Sequence, residues 1–314
     1  MSAAIPEPVA GPRLRVVVTG ATGFVGTALV PALVAAGHRV DRVTRRPPRP
    51  GTTDIQWDPI RGQLESRALD GADAVVHLAG ESVAAGRWTA RVKERIRRSR
   101  VEGTRLLAET LARLDRRPSV LVAASAVGYY GNRGEEPLTE DSPPGAGFLS
   151  EVARAWEAAA DPARVAGIRV VHLRFGLILA GQGGALPRML LPFRLGMGGL
   201  IGDGRQYWSW IALADVVRVI ELAIALDHLA GPVNVVAPAP VANREFTRIL
   251  GRVLGRPTVV PLPGPAVRLL MGEMGQALLL DSARALPRRL EGVGFRFRHP
   301  DLEGALRAAI GKER

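Results

Sequence analysis

Short apolar runs alternate with helical patterns from residue 14 to about residue 236. Leu14–Thr19 is β-branched and apolar and ends at Gly20, the pattern of a strand buried on both faces. Over Gly23–Ala36 the apolar residues Phe24, Ala28, Leu29, Leu33 and Val34 recur at helical spacing, and Gly37 closes the segment. The same reading predicts strands at Arg39–Thr44, Asp73–Leu78, Ser119–Ala124 and Ile168–Phe175, with helices over Trp88–Leu114 and Val152–Ala160. Such alternation predicts an α/β fold, a Rossmann-type doubly wound parallel sheet. Ligands of such sheets bind beyond the carboxyl ends of the strands, where the strand order reverses. From Ala237 the pattern turns helical and irregular, with prolines spread from Pro238 to Pro265, which predicts a smaller, mostly helical C-terminal lobe. The expected organisation is a disordered tail over 1–13, a nucleotide-binding unit over 14–236 with 177–206 turned toward the substrate side, and a substrate-side lobe over 237–314.

The segment Thr19-Gly20-Ala21-Thr22-Gly23-Phe24-Val25-Gly26 carries the first chemistry. Among 36 glycines a G-x-x-G-x-x-G spacing means little alone, and a plain strand-to-helix turn would also use it. Here it directly follows the first strand and opens the first helix, the context of a dinucleotide fingerprint. Gly20 would allow the tight turn, Gly23 the approach of a pyrophosphate, and Gly26 the close packing of helix on sheet. Thr22, Phe24 and Val25 would present the helix N-terminus, whose free N–H groups and dipole favour an anion. A group reading the adenosine ribose should stand at the end of the second strand. The chain reads Val43-Thr44-Arg45-Arg46 there, and the nearest acid, Asp41, lies inside the strand. A hydroxyl and two guanidiniums suit a 2′-phosphate, so the expected cofactor is NADP rather than NAD.

Composition narrows the rest. Apolar residues make up 47% and charged residues 23%, the balance of a folded globular chain. With no cysteine, a disulfide framework, a thiolate metal site and a cysteine nucleophile are all excluded, and no metal is expected. No apolar stretch reaches the ~18 residues of a membrane span, and no signal peptide is visible, so the expectation is a cytoplasmic protein with no membrane partner. The net charge of +12 comes almost wholly from arginine, with lysine only at Lys93 and Lys312. The one dense run, Arg91–Arg100, lacks interleaved aromatics, so no nucleic-acid partner is expected.

Several stretches together resemble the atypical, epimerase-like branch of the extended short-chain dehydrogenase/reductase superfamily, whose members are often described as nucleoside-diphosphate-sugar epimerases. The resemblance rests on Thr19–Gly26, His77-Leu78-Ala79-Gly80-Glu81, Arg87-Trp88-Thr89, Ser99-Arg100, Ser125–Gly131, Trp156-Glu157, Leu173–Gly176, Leu191–Gly204 and Trp210-Ile211 with Asp215. It implies that Leu78, Ala79 and Gly80 line the nicotinamide–ribose side and that Arg100 reaches in from the long helix. It also implies an oxidoreductase or epimerase acting on a small or nucleotide-linked substrate.

The superfamily's serine and Tyr-x-x-x-Lys pair are not met here. The segment reads Gly147-Phe148-Leu149-Ser150-Glu151-Val152-Ala153-Arg154, and Ala126 stands at the usual serine position with Ser125 one residue before it. Ser125 and Tyr130 are the candidate substitutes for proton transfer; a sensor or scaffold that holds NADP(H) without turnover is the alternative. His77, inside an apolar strand, reads as a core histidine, and Asp215 as a cap of the helix Val216–Leu226. Tyr207, Trp208 and Trp210 either line a ligand pocket or join the lobes, and Arg174 and Arg194 are candidates for gripping an acidic substrate.

Overall fold

The computed structural model describes residues 12–47 and 51–312; of the expected tail, residues 1–11 lie outside the described set. Eight strands form one sheet. They are β1 (Arg15–Thr19), β2 (Arg39–Thr44), β3 (Ile55–Asp58), β4 (Gln63–Leu64), β5 (Ala74–His77), β6 (Val120–Ala126), and two later strands at Arg169–Phe175 and Gly231–Val235. Their spatial order is 231–235, 169–175, β6, β5, β1, β2, β3, β4, parallel throughout except for the terminal β3–β4 pair. The chain builds outward from β1 through β2 and β3, then returns to place β5 on the other side of β1. The reversal point therefore lies between β1 and β5, as the α/β pattern predicts.

Helices cover both faces. α1 (Gly26–Ala35) packs Leu29 and Leu33 against Val16 and Val18, together with Val216 and Ile220 of the helix Leu213–Ala225. α2 (Ala90–Ala112) packs Leu107 and Leu111 on the opposite face, against Val17 and Val75. Alternate residues of β1 thus point to two different cores, which is why the strand is apolar without a break. α3 (Phe148–Ala158) lies beside α2 and β6.

Beyond the sheet, Trp208, Trp210, Phe246, Leu250 and Leu306 share a separate apolar cluster with Leu186 and Phe193. This cluster settles the aromatic alternatives in favour of packing. Trp210 is fully buried and donates to the carbonyl of Ala239, and Trp208 stacks edge-on against Phe246. Only Tyr207 keeps an exposed flank, with the Arg284 guanidinium over its ring.

Several boundaries differ from the sequence pattern for local reasons. α1 starts at Gly26 rather than Gly23 because the preceding residues form a turn closed by Gly23 N–H donating to Gly20 O at 2.8 Å. α3 begins at Phe148, a turn before the apolar periodicity starts. Asp215 sits within the first turn of its helix, which opens at Leu213, and it does not cap that helix. Its buried carboxylate instead accepts from the backbone N–H groups of Arg298 and His299 and pins that loop.

Candidate functional site

The glycine loop is shaped by contacts that only glycine permits. Gly20 has φ +68°, and a Cβ there would lie 2.7 Å from the Leu78 carbonyl carbon. A Cβ on Gly26 would strike Gly20 O and approach Ala21 Cα to 2.7 Å. The loop after β1 and the loop after β5 are thereby pressed together, and Ala79 N–H donates to Thr19 Oγ1 at 3.3 Å. Thr22 and Gly23 are exposed, and the first turn of α1 has neither a side-chain cap nor an acidic residue. An uncapped helix start behind a wall that only backbone can approach fits a pyrophosphate. Phe24 leans outward under Gly183 and Gly184, where added Cβ atoms would touch its ring at 2.6 and 2.7 Å.

The second-strand residues stand beside this loop. β2 pairs with β1 so that Val43 faces Thr19, which sets Thr44, Arg45 and Arg46 just past Gly20's edge of the sheet. Thr44 donates to the carbonyl of Arg46 at 2.7 Å, and both arginines are exposed. Asp41, the one acid within β2, is buried and held by Arg15 at 2.7 Å and Arg39 at 3.2 Å, and Asp54 is taken up by Arg42 at 2.8 Å.

On the other side, Leu78, Ala79 and Gly80 leave β5 toward α2, and Glu81 N–H donates to Ser99 Oγ. Arg100 lies against Gly80, where a Cβ would sit 3.5 Å from its Cζ, and over the Trp156 ring at 5.0 Å. Among the described residues it has no carboxylate within ion-pair distance; burial lowers its pKa to about 10, with Glu81 opposing. A largely desolvated guanidinium that stays charged at neutral pH fits an anionic ligand group beside it.

His77 is a core residue. It is fully buried, with Nδ1 2.7 Å from Thr19 Oγ1 and Nε2 2.9 Å from Thr104 Oγ1, and Trp156 Nε1 donates to the same Thr104. Burial lowers its pKa to about 4. The unfolded imidazole titrates near 6.5, so between about pH 6.5 and 4 the unfolded chain holds the extra proton. The contribution is complete above pH 6.5 and drains as pH falls. Urea unfolding should lose about 2 kcal/mol from this group between pH 7 and pH 5. In His77→Asn that part of the slope should vanish, and an unchanged slope would refute the assignment.

The register of three strands builds a buried polar row. Ser125 faces Arg174 in the adjacent strand, and Arg174 faces Asn234 in the next. Ser125 Oγ donates to Glu157 Oε1 at 2.7 Å, and the same carboxylate takes a bidentate pair from Arg174 at 2.8 and 2.9 Å. Arg174 also donates to Tyr130 Oη at 2.9 Å and lies over the Tyr129 ring at 3.5 Å. Tyr130 Oη lies 2.9 Å from the carbonyl of Thr139 and 2.7 Å from Asn234 Oδ1. Burial pushes its phenol up to about 12, against the pull of Arg174.

This arrangement corrects two expectations. Tyr130 has no exposed surface and its hydroxyl is engaged on all sides, so it is an internal anchor with no face for a substrate. Arg174 is taken up by Glu157 and does not reach an acidic ligand. Ser125 keeps its place at the strand end but is itself 2% exposed, with its hydroxyl turned to Glu157. The Tyr and Lys positions fall on Leu149 and Ala153 or, one residue earlier, on Phe148 and Val152; all four are apolar, with Val152 and Ala153 buried and Leu149 against Gly128. Glu157, which joins the row, was not singled out for a role by the sequence, because its partners lie 32 and 17 residues away. It also lines an open cleft of about 520 Å³ with Tyr129, Arg97 and Arg154. Arg194 is exposed in the last turn of its helix. No cluster of metal-ligating side chains occurs among the described residues.

Comparison with known proteins places this geometry. Residues 16–236 match the model of the NAD dependent epimerase/dehydratase family, and residues 262–309 match a domain family of unknown function. The epimerase family protein Mb2239 of Mycobacterium bovis is 43% identical over 291 residues, covering 93% of this chain and 96% of that protein. The crystal structure of the human epimerase family protein SDR39U1 with NADPH superposes with a TM-score of 0.85 at 36% identity, covering 96% of this chain and all of that one. A nucleoside-diphosphate sugar epimerase from Corynebacterium glutamicum gives 0.81 at 39% identity; this chain is covered to 96% but spans only 59% of that longer protein. With the glycine loop, the doubly wound sheet and these likenesses in agreement, the chain belongs to the NAD dependent epimerase/dehydratase family.

Proposed function

We propose that this protein is an NADP(H)-dependent oxidoreductase or epimerase acting on a small or nucleotide-linked substrate. The observation that carries the cofactor choice is the end of β2. Its one acid is buried in ion pairs, while Arg45 and Arg46 are exposed and in no ion pair among the described residues, beside the glycine loop where a 2′-phosphate would lie. The human relative crystallised with NADPH supports the same choice. The name of the Corynebacterium relative supports a nucleotide-linked substrate. Gly20, Gly23 and Gly26, with the N–H groups of Thr22, Phe24 and Val25, would hold the pyrophosphate; Leu78, Ala79, Gly80 and Arg100 would flank the nicotinamide ribose.

A nicotinamide bound there would supply or accept hydride. For the accompanying proton, the geometry supports Ser125 with Glu157 over Tyr130. The serine hydroxyl already donates to the carboxylate, which reaches solvent through the cleft beside Tyr129. The second reading, a protein that binds NADP(H) without turnover, draws support from the apolar side chains at the Tyr and Lys positions. The two separate on a panel of nucleoside-diphosphate sugars presented to the NADP⁺-loaded protein. Transient NADPH fluorescence with any sugar favours the enzyme; tight binding without turnover across the panel favours the second reading.

Cofactor preference can be tested separately. Arg45→Ala/Arg46→Ala should weaken NADPH binding by about tenfold to a hundredfold, the loss of one or two charge-assisted bonds, and leave NADH binding unchanged. Equal losses for both cofactors would remove these residues from the 2′-phosphate site.

A further inference from the structure

Exposed apolar side chains are concentrated on one part of this protein. Of the eleven large ones among the described residues, eight fall within 191–200 and 259–270. They include Leu191 and Leu195 at 63% exposure, Met197, Val259 at 75%, and Leu269 and Leu270 on the helix Gly264–Gly275. The two stretches are joined. Val260 N–H donates to Gly198 O, Leu262 N–H to Leu200 O, and Ile201 bridges Leu262. The helix starts two residues later at Gly264, and at ~1.5 Å per residue Leu269 and Leu270 stand about 7.5 and 9 Å along its axis from that residue. The helix breaks at Gly272; Val267 before the break and Met274 after it are buried, while Leu269 and Leu270 are 76% and 64% exposed.

The charge along these two stretches is almost all positive, with exposed Asp203 at their edge. Residues 182–202 and 254–272 contain no Asp or Glu but carry Arg188, Arg194, Arg256 and Arg268. Among the described residues none of these four is in an ion pair; Arg188 bonds a backbone carbonyl and Arg268 the Gln276 amide. Glu273, just beyond, is neutralised by Lys93 at 2.8 Å. Apolar side chains among unpaired arginines complement a surface that is apolar beneath and anionic above. A second copy of this chain does not fit, because a two-fold contact would set the arginines against each other.

We propose that this face docks the protein on an anionic lipid surface, with Leu269 and Leu270 entering the acyl boundary and the arginines at the headgroups. No described helix is long and apolar enough to cross a membrane, and the contact is peripheral. Each arginine held at such a surface strengthens partition about fivefold.

The test uses the full chain with vesicles of three parts phosphatidylglycerol to seven of phosphatidylcholine, read by co-sedimentation at low and high salt. Wild-type protein should sediment with these vesicles, release at high salt, and bind pure phosphatidylcholine at least tenfold more weakly. Leu269→Ser/Leu270→Ser removes apolar surface without changing charge and should reduce binding about tenfold. Ile60→Ser, which removes an exposed apolar side chain elsewhere, should not. Both variants are checked first for unchanged melting temperature, so that misfolding is not read as lost binding. The proposal fails if wild type ignores anionic vesicles or if the two variants behave alike. It also fails if light scattering shows a dimer that Leu269→Ser/Leu270→Ser dissolves, which would give the face to a second copy.

Discussion

Arg174→Met destabilises the protein by about 3–5 kcal/mol, the cost of leaving a mostly buried carboxylate without its partner. Glu157 is only 13% exposed, and Arg174 supplies it with two of its three charge-assisted or hydroxyl hydrogen bonds. Methionine fills much of the volume and stacks on Tyr129, but it gives Glu157 and the Tyr130 hydroxyl nothing. Burial alone would loosen the arginine's proton; the Glu157 hydrogen bonds and charge reverse that and hold it more firmly than usual. The cost therefore belongs to the broken pair, and Arg174→Met/Glu157→Gln should recover part of it. Denaturant unfolding of the three proteins measures both effects. A loss under about 1 kcal/mol in the single variant would mean that water replaces the arginine and that the row does not hold the strands together.

The second large effect is at the glycine loop. Gly26→Ala places a methyl against Gly20 O and Ala21 Cα, so the turn must open. NADPH binding should fall by a hundredfold or more, because displaced amides no longer converge on the pyrophosphate. Gly37→Ala is the control. Gly37 has φ +89° with nothing within 4 Å, so its substitution strains the backbone by about 1 kcal/mol without touching the loop. Titration of both variants separates binding from stability. A Gly26→Ala protein that binds like wild type would show that the loop is not the phosphate site.

What the sequence reveals and hides follows from distance along the chain. The glycine loop, the strand before it and the helix after it are contiguous, and Gly26 is required by Gly20 and Ala21 a few residues before it, whereas Gly20 is required by Leu78 and Ala79 of the loop after β5. Most of the sheet's central strands were legible because strands buried on both faces are nearly unbroken apolar runs. Ile55–Asp58 was not, since on a short strand near the edge Ile55 and Trp57 are buried while Gln56 is exposed. Gly231–Val235 was hidden by its opening Gly-Pro, tolerated because the strand lies at the sheet's other edge. The polar row could not be read at all. Ser125, Glu157, Arg174 and Asn234 meet only through register across three strands and one helix, and Tyr130 looks as available as Tyr129 until that register buries it.

The most direct test of the account is parallel titration of cofactor-stripped protein with NADPH and NADH, followed by fluorescence at fixed salt. Saturable NADPH binding at least tenfold tighter than NADH is expected, the 2′-phosphate being held by Arg45 and Arg46. Equal affinity, or no binding of either, would contradict it.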